Sequence, residues 1–170
     1  VKVSITDLKV SGSAGLKVET ALTGIKNNNG LGHVHGSEEI TVVSAERGIL
    51  YRCFANADAS GNGSSLLRVE EEIRLDSTLD NPSWYQDPWA EEENDKSGYV
   101  LAGLARGIDL AGHARDPTAK DPTYVWLVQR QMATGSDQFK QDAQEEGKWE
   151  KKLVFADDGA KLRTASAAVI

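Results

Sequence analysis

At 170 residues with 39% hydrophobic side chains, the chain is long enough for one domain with a genuine core and too apolar for wholesale disorder. Its 26 acidic residues against 19 Lys and Arg leave a net charge of -7, which argues against nucleic-acid binding and against adhesion to anionic membranes, since both draw on surplus basic side chains. No apolar run approaches ~18 residues, so no membrane-spanning helix is predicted, and the single cysteine, Cys53, excludes an intrachain disulfide framework without excluding secretion.

The chain begins at Val1 rather than Met. We read that start as processed or trimmed, which slightly favours an extracellular or surface-associated setting. From there, alternation with a period of two prevails. VKVSITDLKV places Val1, Val3 and Ile5 on one face, and GLKVETAL carries a shorter version of the same rhythm. KNNNGLGHVHG follows as a turn-rich cluster. Within it, His33 and His35 sit two residues apart, a spacing able to give Zn or Cu two ligands if His113 or a carboxylate supplied a third. The plainer reading is a Gly-rich surface loop with two solvated imidazoles, and no metal is assigned.

EEITVVSAERGILYRCF reads as a strand, a turn at Glu46 to Gly48 and a second strand, its apolar positions filled by the β-branched and aromatic residues that a pleated surface favours. Cys53, between Arg52 and Phe54, reads as a half-buried small apolar side chain rather than a reactive thiol. The next stretch, EEEIRLDSTLDN at 70–81, could be an acidic helix, an ion-binding loop, a carboxylate pair or a strand. A helix would scatter Ile73, Leu75 and Leu79. A strand puts Val69, Ile73 and Leu75 in phase and turns Glu70, Glu72 and Arg74 to water, with Asp76 and Asn81 bounding a turn. The stretch lacks the oxygen spacing of a calcium loop and the specific partner of a catalytic carboxylate. The strand is therefore the expectation, with its carboxylates solvated.

PSWYQDPWAEEENDKSG then packs aromatic residues ahead of an acidic run, which suggests an ordered loop ending in a solvated tip. Trp84, Tyr85 and Trp89, with Asp87 and Asn81, combine rings that stack on sugar C–H faces with groups that pair with hydroxyls. These five residues are the candidate ligand-binding set. The competing readings are an interface anchor or rings that plug one end of a sandwich. VWLVQRQM reads as a strand. QFKQDAQEEGKWEKK, around 138–152, has the composition of one short exposed helix. SEEITVVSAERGILYR and KWEKKLVFADDGAKLR share a charged entry, a β-type alternation and an acidic Gly turn, as duplicated hairpins would. The apolar end TASAAVI could dock on a neighbouring subunit.

The expected architecture is an all-β, mainly antiparallel sandwich or barrel-like single domain over 1–170, open to internal repeats, with at most one short helix. No nucleophile elbow, phosphate loop, dinucleotide fingerprint, HExxH or CxxC occurs, so no enzyme activity and no cofactor is assigned.

Ile73-x-Leu75-Asp76-x-x-Leu79-x-Asn81, followed by Trp89, and Ala105-Arg106-Gly107-Ile108-Asp109-Leu110-Ala111-Gly112 resemble the repeat signatures of the cyanovirin-N homology lectins, with a variant, Ser44-Ala45-Glu46-Arg47-Gly48-Ile49, upstream. Pro82 and Ser83 stand where that family has a Gly after the Asn turn. The last repeat keeps Trp149, Leu153, Phe155, Gly159 and Leu162 but has no Asp-x-x-Ile-x-Asn. The resemblance implies a small β lectin that recognises mannose-rich glycans without a metal. Two functions are thus carried forward. One is a non-enzymatic, glycan-binding protein. The other is a structural or interaction subunit of a β-rich filament, capsid or tail assembly, joined to a protein partner or to its own copies through strand edges or the C-terminal tail.

Overall fold

The computed structural model describes residues 2–5, 16–57, 66–91, 94–107, 111–112, 115–116, 118–131, 148–162 and 165–170. Its strands are β1 (Lys2–Ile5), β2 (Leu16–Glu19), β3 (Asn28–His33), β4 (Ile40–Ser44), β5 (Ile49–Ala55), β6 (Leu67–Arg74), β7 (Pro82–Tyr85), β8 (Gly98–Leu104), β9 (Thr123–Arg130) and β10 (Trp149–Asp157). β1 pairs with β2. The others form two four-stranded antiparallel sheets, ordered β3-β4-β5-β6 and β10-β9-β8-β7. The all-β antiparallel expectation holds, and the two sheets pack as a sandwich.

Alternation along each strand decides what lies between the sheets. Val43, Leu50 and Ile73 from one sheet meet Tyr99, Leu101 and Val128 from the other, with Leu75 and Leu79 filling in from the connection between them. Each fully buried aliphatic side chain there contributes about 1.5–3 kcal/mol of transfer free energy. The outer faces are partly covered as well. Leu22, Ile25 and Leu67 cover Val42, Ile49, Tyr51 and Cys53 on one; Ala165 and Ala168 of the C-terminal tail lie over the Val100, Ala102 and Val125 cluster on the other. The tail is held by Ser166 and Ala168 carbonyls, which accept from the Asn81 N–H at 3.0 Å and the Ser83 hydroxyl at 2.5 Å. The segment expected to reach a neighbouring subunit thus packs, as far as Ala168, on its own chain.

EEEIRLDSTLDN begins as strand β6 and then crosses between sheets. Leu79 N–H donates to Ala45 O of the first sheet's turn, while Thr78 and Asp80 N–H donate to Leu104 O and Ala102 O of the second. This close crossing demands glycine at two positions. A Cβ on Gly103 would lie 1.8 Å from the Thr78 carbonyl oxygen, and one on Gly48, whose φ is +61°, would lie 2.4 Å from that of Ser77. A further close approach shuts one side of the sandwich, where Gly30 and Gly32 of β3 abut Pro82 of β7.

Two expectations about the strands change. A register shift in β6 skips Glu70: Glu71 lies opposite Arg52, but Val69 lies opposite Cys53. The bulge rotates Val69 out of phase with Ile73, leaving it 39% exposed. Glu70, Glu72 and Arg74 are exposed as expected, whereas Glu71 turns inward. At the end of the chain, Trp149–Lys152, expected within a helix, are strand, because pairing with β9 overrides their local preference; residues 138–147 of that expected helix lie outside the described residues. The paired-hairpin repeat also fails structurally. Ile40–Ser44 and Ile49–Ala55 form a hairpin, but the segment from Lys148 supplies one strand and a turn, and its partner is β9.

Gly103→Ala is expected to lower unfolding free energy by about 1–3 kcal/mol, read as a lower midpoint in urea at unchanged slope.

Candidate functional site

Arg52 projects from β5 into the space between the sheets, where a guanidinium must be fully paired or displaced to water. It is fully engaged. Nε donates to Glu39 Oε1 at 3.1 Å and to the Tyr99 hydroxyl at 2.7 Å, Nη2 to Glu39 Oε2 at 2.5 Å, and Nη1 to Glu71 Oε2 at 2.7 Å. The Tyr99 hydroxyl in turn donates to Glu39. Glu71 also accepts from Trp149 Nε1 at 2.8 Å and faces Lys148 Nζ at 3.3 Å. Aromatic rings enclose the cluster. Arg52 lies 5.2 Å from the centroid of Trp149 and 5.7 Å from that of Phe54, while Tyr99 packs against both Trp84 and Trp149.

Strand register explains the assembly. Arg52 stands opposite Glu71 across β5 and β6, and Tyr99 stands opposite Trp84 across β7 and β8. Glu39 precedes β4 and is 4% exposed. Burial favours the neutral form of Tyr99, and the hydrogen bond to Glu39 reinforces it, so the phenol stays protonated well above its ordinary range. Burial alone would raise Glu71, but hydrogen bonds from Trp149, Arg52 and Lys148 outweigh it and hold the carboxyl below the usual glutamate range. At neutral pH Glu71 is therefore a fixed anion and Tyr99 a fixed neutral donor. The cluster holds charge in place between the sheets; neither of these two groups is poised to exchange a proton near neutral pH.

Beside the cluster the sandwich is open. A groove of about 520 Å³ runs along β6, the outer strand of its sheet among the described residues; it is lined by Val69, Glu71, Ile73 and Arg74 and faces Lys148 and, from β10, Trp149 and Lys151. Among the described residues β10 is the outer strand of its sheet. Its residues Leu153, Val154 and Phe155 are 45%, 46% and 43% exposed in succession. Sequence reading missed both features. Arg52 and Glu71 could be found only by noticing charges at core-phase positions of two strands, and the edge position of β10 depends on long-range pairing.

The five residues expected to bind a ligand do not share one surface. Trp84 packs into the inter-sheet core, and Tyr85, next in β7, packs on the opposite face. Asp87 is buried and organises its loop, its carboxylate accepting from Trp89 N–H at 3.0 Å and Lys96 N–H at 3.1 Å. Asn81 Nδ2 donates to Asp80 Oδ1 and to Ser166 O, so it fastens the tail. Trp89 alone of the three rings stands free, at 80% exposure.

His33 and His35 are both exposed, and His33 Nε2 contacts Ser37 O at 2.8 Å. His113 lies outside the described residues, among which no group of three or more His, Cys, Asp or Glu could hold a metal ion. Cys53 is fully buried rather than half-buried, and burial, with the nearby Glu39 charge, raises its thiol to about 11. Among the described residues, no helix is long and apolar enough to cross a membrane. No family model and no curated protein matches this chain.

Glu71→Gln is expected to cost about 2 kcal/mol near neutral pH, since it removes the anion that Arg52, Trp149 and Lys148 share. Because the folded pKa of Glu71 lies below its unfolded value, its stabilisation is present above the ordinary glutamate value of about 4.3 and fades as pH falls through the folded pKa. Denaturant titrations at successive pH values should therefore show the difference between the wild type and Glu71→Gln shrinking on acidification.

Proposed function

We propose that this chain is a non-catalytic interaction subunit that assembles with its own copies through a sheet edge that has no neighbouring strand among the described residues. The observation that carries the reading is the consecutive exposure of Leu153, Val154 and Phe155 on the outer strand β10. An edge strand presents a row of backbone donors and acceptors ready to pair with another strand. Proteins that stay monomeric commonly break such an edge with charge, and β10 carries charges at Glu150, Lys151, Lys152 and Asp157 but none through its centre. Charges at both ends of an apolar centre favour one defined pairing over open-ended stacking.

A second reading, glycan binding, keeps one specific support. Trp89 is 80% exposed, and its backbone is tied to the buried Asp87 carboxylate. A pre-positioned, solvent-facing ring suits the apolar face of a sugar, and mannose-rich glycans are the class implied by the lectin-like segments.

Sedimentation velocity over a wide concentration range tests the first reading: the wild type should shift from monomer to a larger species, and Phe155→Lys should remain monomeric. A wild type that stays monomeric throughout defeats it. The second reading expects signal on a glycan array that Trp89→Ala abolishes, and a blank array at high protein concentration defeats that one.

A further inference from the structure

We infer that β10 pairs antiparallel with β10 of a second copy about a twofold axis between Val154 and Phe155, joining the two β7-to-β10 sheets into one continuous sheet. The inference rests on the self-association reading above and adds a register to it. The register follows from the bulge in β10.

Residues directly opposite one another in an antiparallel pair project on the same face of the sheet. Lys152 stands opposite Leu127, which packs on the outer face, and Leu153 stands opposite Trp126, which packs on the core side. The register then shifts between Leu153 and Phe155, so that Phe155 stands opposite Val125 of the outer face, Ala156 opposite Tyr124, and Asp157 opposite Thr123. The bulge at Val154 thus exchanges the faces of all residues that follow it. Before the bulge, even-numbered residues face outward; after it, odd-numbered residues do.

A twofold axis through Val154 would set core-side Lys151 against outward Asp157 and core-side Leu153 against outward Phe155. Those pairs lie on opposite faces and cannot meet. Only an axis between two residues matches the faces. Placed between Leu153 and Val154, it sets Glu150 against Asp157 of the second copy, a like-charge pair that is destabilising. Placed between Val154 and Phe155, it sets Lys152 against Asp157 and, one residue beyond the strand, brings Lys151 to Asp158 of the second copy. Leu153 then meets Ala156, and Val154 meets Phe155. Both charge pairs occur twice by symmetry, and the exposed apolar centre of one copy covers that of the other.

The present partners of these charges are exchangeable. Lys152 contacts Glu150 at 3.0 Å and Gln129 Oε1 at 3.3 Å, and Asp158 contacts Lys120 at 3.2 Å through Oδ2 while its Oδ1 accepts from Ala160 N–H; the four charged side chains are about half exposed or more. Asp157 is held ionised by backbone N–H groups of Leu162, Lys161 and Gly159 on Oδ1. It therefore presents its charge at a fixed place on the edge.

The test combines cross-linking with charge reversal in the full chain. A mixture of Leu153→Cys and Ala156→Cys chains should form a disulfide-linked dimer on oxidation, and a mixture of Leu153→Cys and Phe155→Cys chains should not. The native Cys53, fully buried, does not interfere. Lys151→Asp and Asp158→Lys should each weaken dimerisation about tenfold, and the double variant should recover it. Self-association without the 153–156 cross-link and without recovery overturns the register while leaving the self-association reading standing. A wild type that never associates overturns both.

Discussion

Everything between the two sheets is arranged around one charge that cannot be left alone. The Arg52 guanidinium sits in the core at one end of the sandwich, and the groups that bond it come from three places: the carboxylates of Glu39 ahead of β4 and Glu71 from β6, and the neutral hydroxyl of Tyr99 from the other sheet. Its rings come from β5 and β10. Removing one partner of such a cluster leaves an uncompensated charge, whereas the intact cluster satisfies every member. The sheets are therefore fixed in relative position at this end by directional bonds as well as by apolar packing, which is non-directional and tolerates sliding.

This arrangement makes the two sides of the sandwich unlike. On one side β3 and β7 approach so closely that Gly30 and Gly32 meet Pro82 with no room for a side chain. On the other side a groove remains between β6 and β10, bridged by the Trp149 Nε1 hydrogen bond to Glu71. Among the described residues, β6 and β10 each end their sheet on this side without a further neighbouring strand. The tail supports the same asymmetry, since Ser166 and Ala168 fasten at Asn81 and Ser83, on the closed side.

The sequence was legible wherever the relevant physics is local. Period-two alternation with β-branched residues located β4, β5, β6 and β9, and the turn ending at Gly48 was visible in Glu46–Gly48. It was opaque where one strand's meaning depends on another. Val69 looks like a core residue until the bulge at Glu70 rotates it outward. Trp149–Lys152 look helical by composition and are strand because β9 lies beside them. The candidate set is divided for a simple reason: neighbours in a strand face opposite ways, so Trp84 and Tyr85 of β7 pack on opposite faces of the sheet. Composition alone marked them as a cluster. The Arg52 network left only a faint trace, charged residues at positions whose phase belongs to the core.

Cys53 has a consequence beyond packing. Fully enclosed, with its thiol raised to about 11, it offers almost no thiolate at neutral pH and no path for an oxidant to reach it. With a single cysteine, the fold also owes nothing to a covalent cross-link within the chain. The folded sandwich thus contains no disulfide whose reduction could loosen it, and its one thiol is enclosed.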